Sequence, residues 1–119
     1  MKKVLIIDDD EAILEVVKII LTEAGYEVMI NRSGDFFNRK PKKLPGIVLL
    51  DLLLSGREGT EICKQIKSNP KTSSIPVILM SAYTSGEIEQ ATKDSKADGF
   101  IMKPFEIDDL KAVISKHIK

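Results

Sequence analysis

The sequence predicts an α/β fold: a five-stranded parallel sheet, order 2-1-3-4-5, with five helices divided between its two faces. Three observations predict it. Short apolar runs alternate with segments of helical periodicity along the whole chain. These runs are apolar at every position, not at every second one, so both faces of each strand are covered. The chain has 119 residues, the size of one ordinary domain, so residues 1–119 are expected to form a single unit. Strand–helix–strand alternation then implies right-handed crossovers.

Lys2 to Ile7 carries the first strand. Asp10 and Glu11 follow, where a helix N-terminus favours a capping oxygen and negative charge. Ile13, Val17, Ile20, Leu21 and Ala24 recur at helical spacing, and Gly25 ends that helix. Tyr26 to Ile30 is the second strand. Phe36 and Phe37 mark a short second helix, limited by Pro41 and Pro45. Gly46 to Asp51 is the third strand and ends on an acid. Ser55 to Gly59 is a loop, and Ile62, Cys63 and Ile66 give the inner face of a third helix. Ile75 to Met80 is the fourth strand. Thr84 and Glu87 have capping-box spacing and open a fourth helix that is poor in apolar residues, with Ile88, Ala91 and Ala97. Asp98 to Met102 is the fifth strand. Glu106 to Ile118 is the last helix, with Ile107, Leu110, Val113, Ile114 and Ile118 facing inward.

Composition excludes several classes. There are 18 basic and 18 acidic residues, for a net charge of +0, which argues against direct nucleic-acid binding. No apolar run approaches the ~20 residues of a membrane span. The run after Lys2 and Lys3 is cut off by Asp8, Asp9 and Asp10, too early for a signal peptide. The single cysteine, Cys63, rules out an internal disulfide and suits a reducing cytoplasm. It is expected in the core.

The chemistry gathers at strand ends. Asp8 and Asp9 end the first strand, Asp51 the third, Ser81 the fourth, and Lys103 with Pro104 the fifth. In the expected sheet all of these meet at one edge, where ligands sit at the switch between strands 1 and 3. Three carboxylates packed together are costly without a cation, and hard oxygen ligands suit Mg²⁺. A carboxylate can act as a nucleophile and form an aspartyl-phosphate. Phosphoryl transfer asks mainly for positioning and charge neutralisation, which Lys103 and the Ser81 hydroxyl can supply. Asp51 is the candidate nucleophile. Each residue alone has a plainer explanation: a helix cap for Asp8 to Asp10, a turn for Asp51, a solvated lysine for Lys103. Their joint occurrence at four strand ends on one side of the sheet argues against those explanations.

These residues resemble the receiver domains of two-component response regulators, which share a flavodoxin-like doubly wound fold. The matching segments are Val4-Leu5-Ile6-Ile7-Asp8-Asp9, Ile47-Val48-Leu49-Leu50-Asp51, Pro76-Val77-Ile78-Leu79-Met80-Ser81-Ala82 and Gly99-Phe100-Ile101-Met102-Lys103-Pro104-Phe105. The resemblance implies that Asp51 is the phosphoacceptor. It implies that Asp8, Asp9, Asp51 and the backbone carbonyl of Leu53 hold Mg²⁺. It implies that Ser81 and Lys103 engage the phosphoryl group, that the Lys103–Pro104 bond is cis, and that Ser81 and Phe100 form a switch. The donor would be a sensor histidine kinase or a histidine phosphotransfer protein. The output would pass to a downstream protein target or an output domain missing from this chain, through the face of helix 4, strand 5 and helix 5. A phosphorylation-linked homodimer is one form this could take. The implied role is signalling and not that of an enzyme, apart from Mg-dependent self-phosphorylation and autodephosphorylation.

The sequence departs from the family pattern at Ser55, where proline is common, and at Glu58, where aspartate often precedes the glycine retained as Gly59. Leu53 and Tyr83 flank the expected phosphate and are candidate rate-tuning positions. An apolar and an aromatic residue there would exclude an attacking water, which predicts a long-lived phosphorylated form and a shorter half-life for Leu53→Asn. A half-life that is unchanged or longer in that variant would refute the expectation. Three other readings compete. A phosphorylation-independent pseudo-receiver would not bind Mg²⁺. An aspartyl-nucleophile phosphatase would need a second acid where Leu53 stands. A flavin carrier would need a Ser/Thr/Gly-rich loop where Asp8 and Asp9 stand.

Overall fold

The computed structural model describes residues 2–54, 57–82 and 85–119. In chain order the elements are β1 (Lys3–Ile7), α1 (Glu11–Glu23), β2 (Glu27–Asn31), a 3₁₀ helix (Phe36–Arg39), β3 (Ile47–Asp51), β4 (Leu53–Leu54), β5 (Arg57–Glu58), α2 (Gly59–Ser68), β6 (Val77–Ser81), α3 (Ser85–Ser95), β7 (Gly99–Met102) and α4 (Ile107–His117). Five strands form one sheet in the order β2-β1-β3-β6-β7, and every pairing in it is parallel. Numbered among themselves, these strands run 2-1-3-4-5.

The strands are apolar throughout because successive side chains enter two different cores. Val4, Ile6, Ile47, Leu49, Ile78 and Met80 face one side, where Leu14, Val17, Ile20 and Leu21 of α1 and Leu110 and Ile114 of α4 cover them. Leu5, Ile7, Val48, Leu50, Val77 and Leu79 face the other, under Ile62, Cys63 and Ile66 of α2 and Ile88 of α3. Each fully buried aliphatic side chain contributes about 1.5–3 kcal/mol by leaving water. Strand tips at the carboxyl edge therefore lie on a rigid, two-sided platform.

Among the described residues there are four α-helices, not five. The expected second helix is the single 3₁₀ turn Phe36–Arg39. Lys40 ends it in a left-handed conformation, φ 50°, and Pro41 and Pro45 prevent resumption. Phe36 and Phe37 still pack on the core, edge to face at 5.1 Å. The loop expected over residues 55–59 holds part of a small hairpin instead, with β4 antiparallel to β5, and Gly59 already belongs to α2. In α1, Leu14 is buried while Ala24 is exposed, and Gly25 follows with φ +96°, the helix-ending conformation that glycine adopts freely. Ile107 in the first turn of α4 is exposed. Thr84 of the expected capping box lies outside the described residues, and Glu87 sits in the first turn of α3.

Candidate functional site

Sheet register assembles the site. Ile7 pairs with Leu50, so Asp8, one residue further, is carried beside Asp51. Asp51 pairs with Met80, and Ser81 is the next residue along β6. Ser81 pairs with Met102, and the N–H of Lys103 donates to the Ser81 carbonyl at 2.8 Å. Four strands thus bring Asp8, Asp51, Ser81 and Lys103 to the carboxyl edge. Asp9 follows Asp8 there, exposed. One carboxylate oxygen from each of Asp8, Asp9 and Asp51 lies within 4.8 Å of the others.

Lys103 ties the acids together. Its Nζ is 2.8 Å from Asp8 Oδ2 and 3.3 Å from Asp51 Oδ1. The Asp8 side chain is fully buried, and that of Asp51 is 13% exposed. Asp8 is held from two other directions. Its Oδ1 accepts the N–H of Asp10 at 2.9 Å, and its own N–H donates to the Asn31 carbonyl at 3.2 Å. Asp10 in turn caps α1, accepting from Ala12 and Ile13. The Leu53 backbone N–H lies on the side of the Asp51 carboxylate where it favours the charged form, while the Leu53 side chain is 56% exposed.

Burial raises the Asp51 carboxyl above its ordinary pKa, and the negative charge of Asp8 adds to this against the opposing pull of Lys103 and the Leu53 N–H. For Lys103, burial alone would lower the ammonium. The hydrogen bond to Asp8 and the charges of Asp51 and Asp8 outweigh burial, and the net direction is up. Three carboxylates facing one ammonium leave an excess of negative charge, which a divalent cation would neutralise. The donors fit Mg²⁺. They are hard oxygens, and their 4.8 Å spread is close to the roughly 4.2 Å across an octahedron with ~2.1 Å metal–oxygen bonds.

Ser81 is 4% exposed. Phe100 is half-buried against the core beneath α2 and α3. It borders a cleft of about 390 Å³ shared with Asp109, Val113 and His117 of α4. The Lys103–Pro104 peptide bond is cis. Tyr83 lies outside the described residues. The sequence reading missed Asn31, whose carbonyl anchors Asp8, and the bond from Asp10 to Asp8. A polar residue ending an otherwise apolar second strand was the available signal for Asn31.

Comparison with known proteins follows the same lines. A family model described as "Response regulator receiver domain" matches residues 4–115. The DNA-binding dual master transcriptional regulator RpaA of Synechocystis is 35% identical over 115 residues, covering 94% of this chain and 47% of its own. The chain spans about half the length of the curated relatives it matches. A putative response regulator from Chloroflexus aurantiacus superposes with TM-score 0.90 at 30% identity, covering 97% of this chain and 95% of its own. Response regulator protein TrrA of Thermotoga maritima, solved in complex with Mg²⁺ and BeF, gives TM-score 0.85 at 28% identity, covering 99% of this chain and 100% of its own.

Proposed function

This chain belongs to the receiver domain family of two-component response regulators, and from that premise we propose that it accepts a phosphoryl group on Asp51. Receiver domains are signalling modules and not enzymes in the ordinary sense. The observation that carries the proposal is the meeting of Asp51 with Asp8 and Asp9 inside 4.8 Å, with the Lys103 ammonium 3.3 Å away.

In the proposed step a carboxylate oxygen of Asp51 attacks the phosphorus of a phosphohistidine on a sensor histidine kinase or a histidine phosphotransfer protein. The P–N bond breaks, the new P–O bond makes an acyl phosphate, and the histidine leaves with its electron pair. Asp8, Asp9, Asp51 and the Leu53 carbonyl would hold Mg²⁺, which supplies charge neutralisation among the acids and the phosphoryl oxygens. Lys103 already bridges Asp8 and Asp51, so its ammonium is placed to follow charge that develops on the phosphoryl group. Ser81, at the neighbouring strand end, donates its hydroxyl.

The switch proposed is a movement of Ser81 that leaves room for Phe100, altering the face formed by α3, β7 and α4. That face would engage a downstream protein or an attached output domain. Leu53 and Tyr83 would set how long the phosphoryl group survives autodephosphorylation. No described helix is long and apolar enough to cross a membrane.

Calorimetric titration with Mg²⁺ tests the metal-holding role. Removing even an indirect support of a metal site costs about 10–100-fold in affinity, so Asp9→Ala is expected to weaken binding at least 10-fold. A folded wild-type protein that binds no Mg²⁺ would instead point to a phosphorylation-independent interaction module.

A further inference from the structure

Helix α2 starts on a residue with no room for a side chain. A Cβ placed on Gly59 falls 2.2 Å from the Asp51 carbonyl oxygen, 2.9 Å from Leu52 Cα and 3.1 Å from the Asp51 carbonyl carbon. Non-bonded carbon atoms pack best at about 3.5–4.0 Å. All three obstacles are backbone, so no change of rotamer relieves them. Gly59 is buried, and its N–H donates to the Leu52 carbonyl at 2.7 Å. Its φ lies outside the left-handed region. Glycine is therefore required here for close approach and not for an unusual backbone conformation.

This contact closes a circuit of chain around the acceptor. From Asp51 the chain passes through Leu52 into β4, where Leu53 lies opposite Glu58 of β5. Gly59 then returns it onto the Asp51 backbone. Within that circuit the Leu53 backbone N–H favours the charged form of the Asp51 carboxylate, and the Asp51 and Leu53 backbones are joined through Leu52, whose carbonyl accepts from Gly59. We propose that Gly59 is a positioning residue of the acceptor site: its bare Cα seats the start of α2 against Asp51 and so fixes the Asp51 carboxylate and the Leu53 backbone relative to Asp8 and Asp9. This inference rests on the phosphoacceptor reading.

Gly46 provides the control. A Cβ there falls 2.3 Å from the Lys119 backbone oxygen, a clash of the same severity at the amino end of the same strand, β3. Gly59→Ala and Gly46→Ala therefore both force backbone to move, but only the first does so at the site. The two variants and wild type are compared for Mg²⁺ affinity by calorimetry, for phosphorylation rate with acetyl phosphate, and for hydrogen exchange at the Leu53 amide. A misplacement of about 1 Å costs on the order of 100-fold in rate, so Gly59→Ala is expected to lose roughly 10- to 100-fold in phosphorylation. Its Mg²⁺ affinity falls and its Leu53 amide exchanges faster, while Gly46→Ala stays within about twofold of wild type. If Gly59→Ala is partly unfolded, the same comparison is made in trimethylamine N-oxide, which favours the compact state. Equal behaviour of the two variants in all three measurements would overturn the positioning role. A wild type that neither binds Mg²⁺ nor takes up phosphoryl would overturn the phosphoacceptor reading itself, and this inference with it.

Discussion

Outside the Asp8–Asp9–Asp51 cluster, Asp35 is a carboxylate held by three neighbouring side chains. It accepts from Asn31 Nδ2 at 2.9 Å, Ser33 Oγ at 2.6 Å and Arg39 Nε at 2.9 Å. The Asn31 hydrogen bond, then Ser33 and Arg39, hold its carboxyl well below the ordinary carboxylate range. A carboxyl depressed in the folded state stabilises the fold at pH values above the unfolded-state pKa of about 3.9. That contribution declines as the pH falls through this value toward the folded-state pKa. Carboxyl-detected NMR should place the Asp35 midpoint below the ordinary 3.8; a midpoint at or above it would contradict the network. At this scale the sequence revealed the residue types of the site, because parallel strands deliver their carboxyl-terminal residues to one edge. It did not reveal who pairs with whom. Lys103 and Asp8 are 95 positions apart, and their contact depends on register and side-chain reach together.

Helix α1 links the carboxyl edge of the sheet to the core, and Asp10 caps its start. The Asp10 carboxylate accepts the N–H of Ala12 at 2.9 Å and of Ile13 at 3.4 Å, satisfying donors that the first turn leaves without partners. Asp10→Ala is expected to cost about 1 kcal/mol of stability, read by urea denaturation. The Asp10 backbone N–H that binds Asp8 belongs to the same turn as the cap, so the carboxyl edge of the sheet is expected to loosen as the turn frays; an unchanged midpoint would contradict the cap. Elements with strong periodicity were legible in the sequence. The 3₁₀ turn was not, since Phe36 and Phe37 mark burial without fixing helix length. The β4–β5 hairpin was also hidden, because two-residue strands carry no alternation pattern. Helical spacing gave the phase of α4 but not where its covered surface ends, so Ile107 was assigned inward while it is exposed.

Across the whole molecule, two cores on either side of one sheet make the carboxyl edge a fixed frame, and the Asp8–Asp9–Asp51 cluster with Lys103 is built from strand tips on that frame. The sheet order was legible because five apolar strands alternating with helices commonly adopt the doubly wound order 2-1-3-4-5, which the sheet follows. Long-range fastening was not legible. Lys67 reaches from α2 to the Ile75 carbonyl at 2.7 Å and to Asp98 at 2.6 Å, joining helix, loop and the start of β7. A lysine near the end of a helix gives no sign of that in sequence. The most direct test is the intact mass of the folded protein after incubation with Mg²⁺ and acetyl phosphate, beside Asp51→Asn. One added phosphoryl group on the wild type, absent from the variant and from samples with the metal chelated, is the expected result. No added mass on a folded, Mg²⁺-binding wild type, or equal labelling of Asp51→Asn, would contradict the assignment of Asp51 as phosphoacceptor.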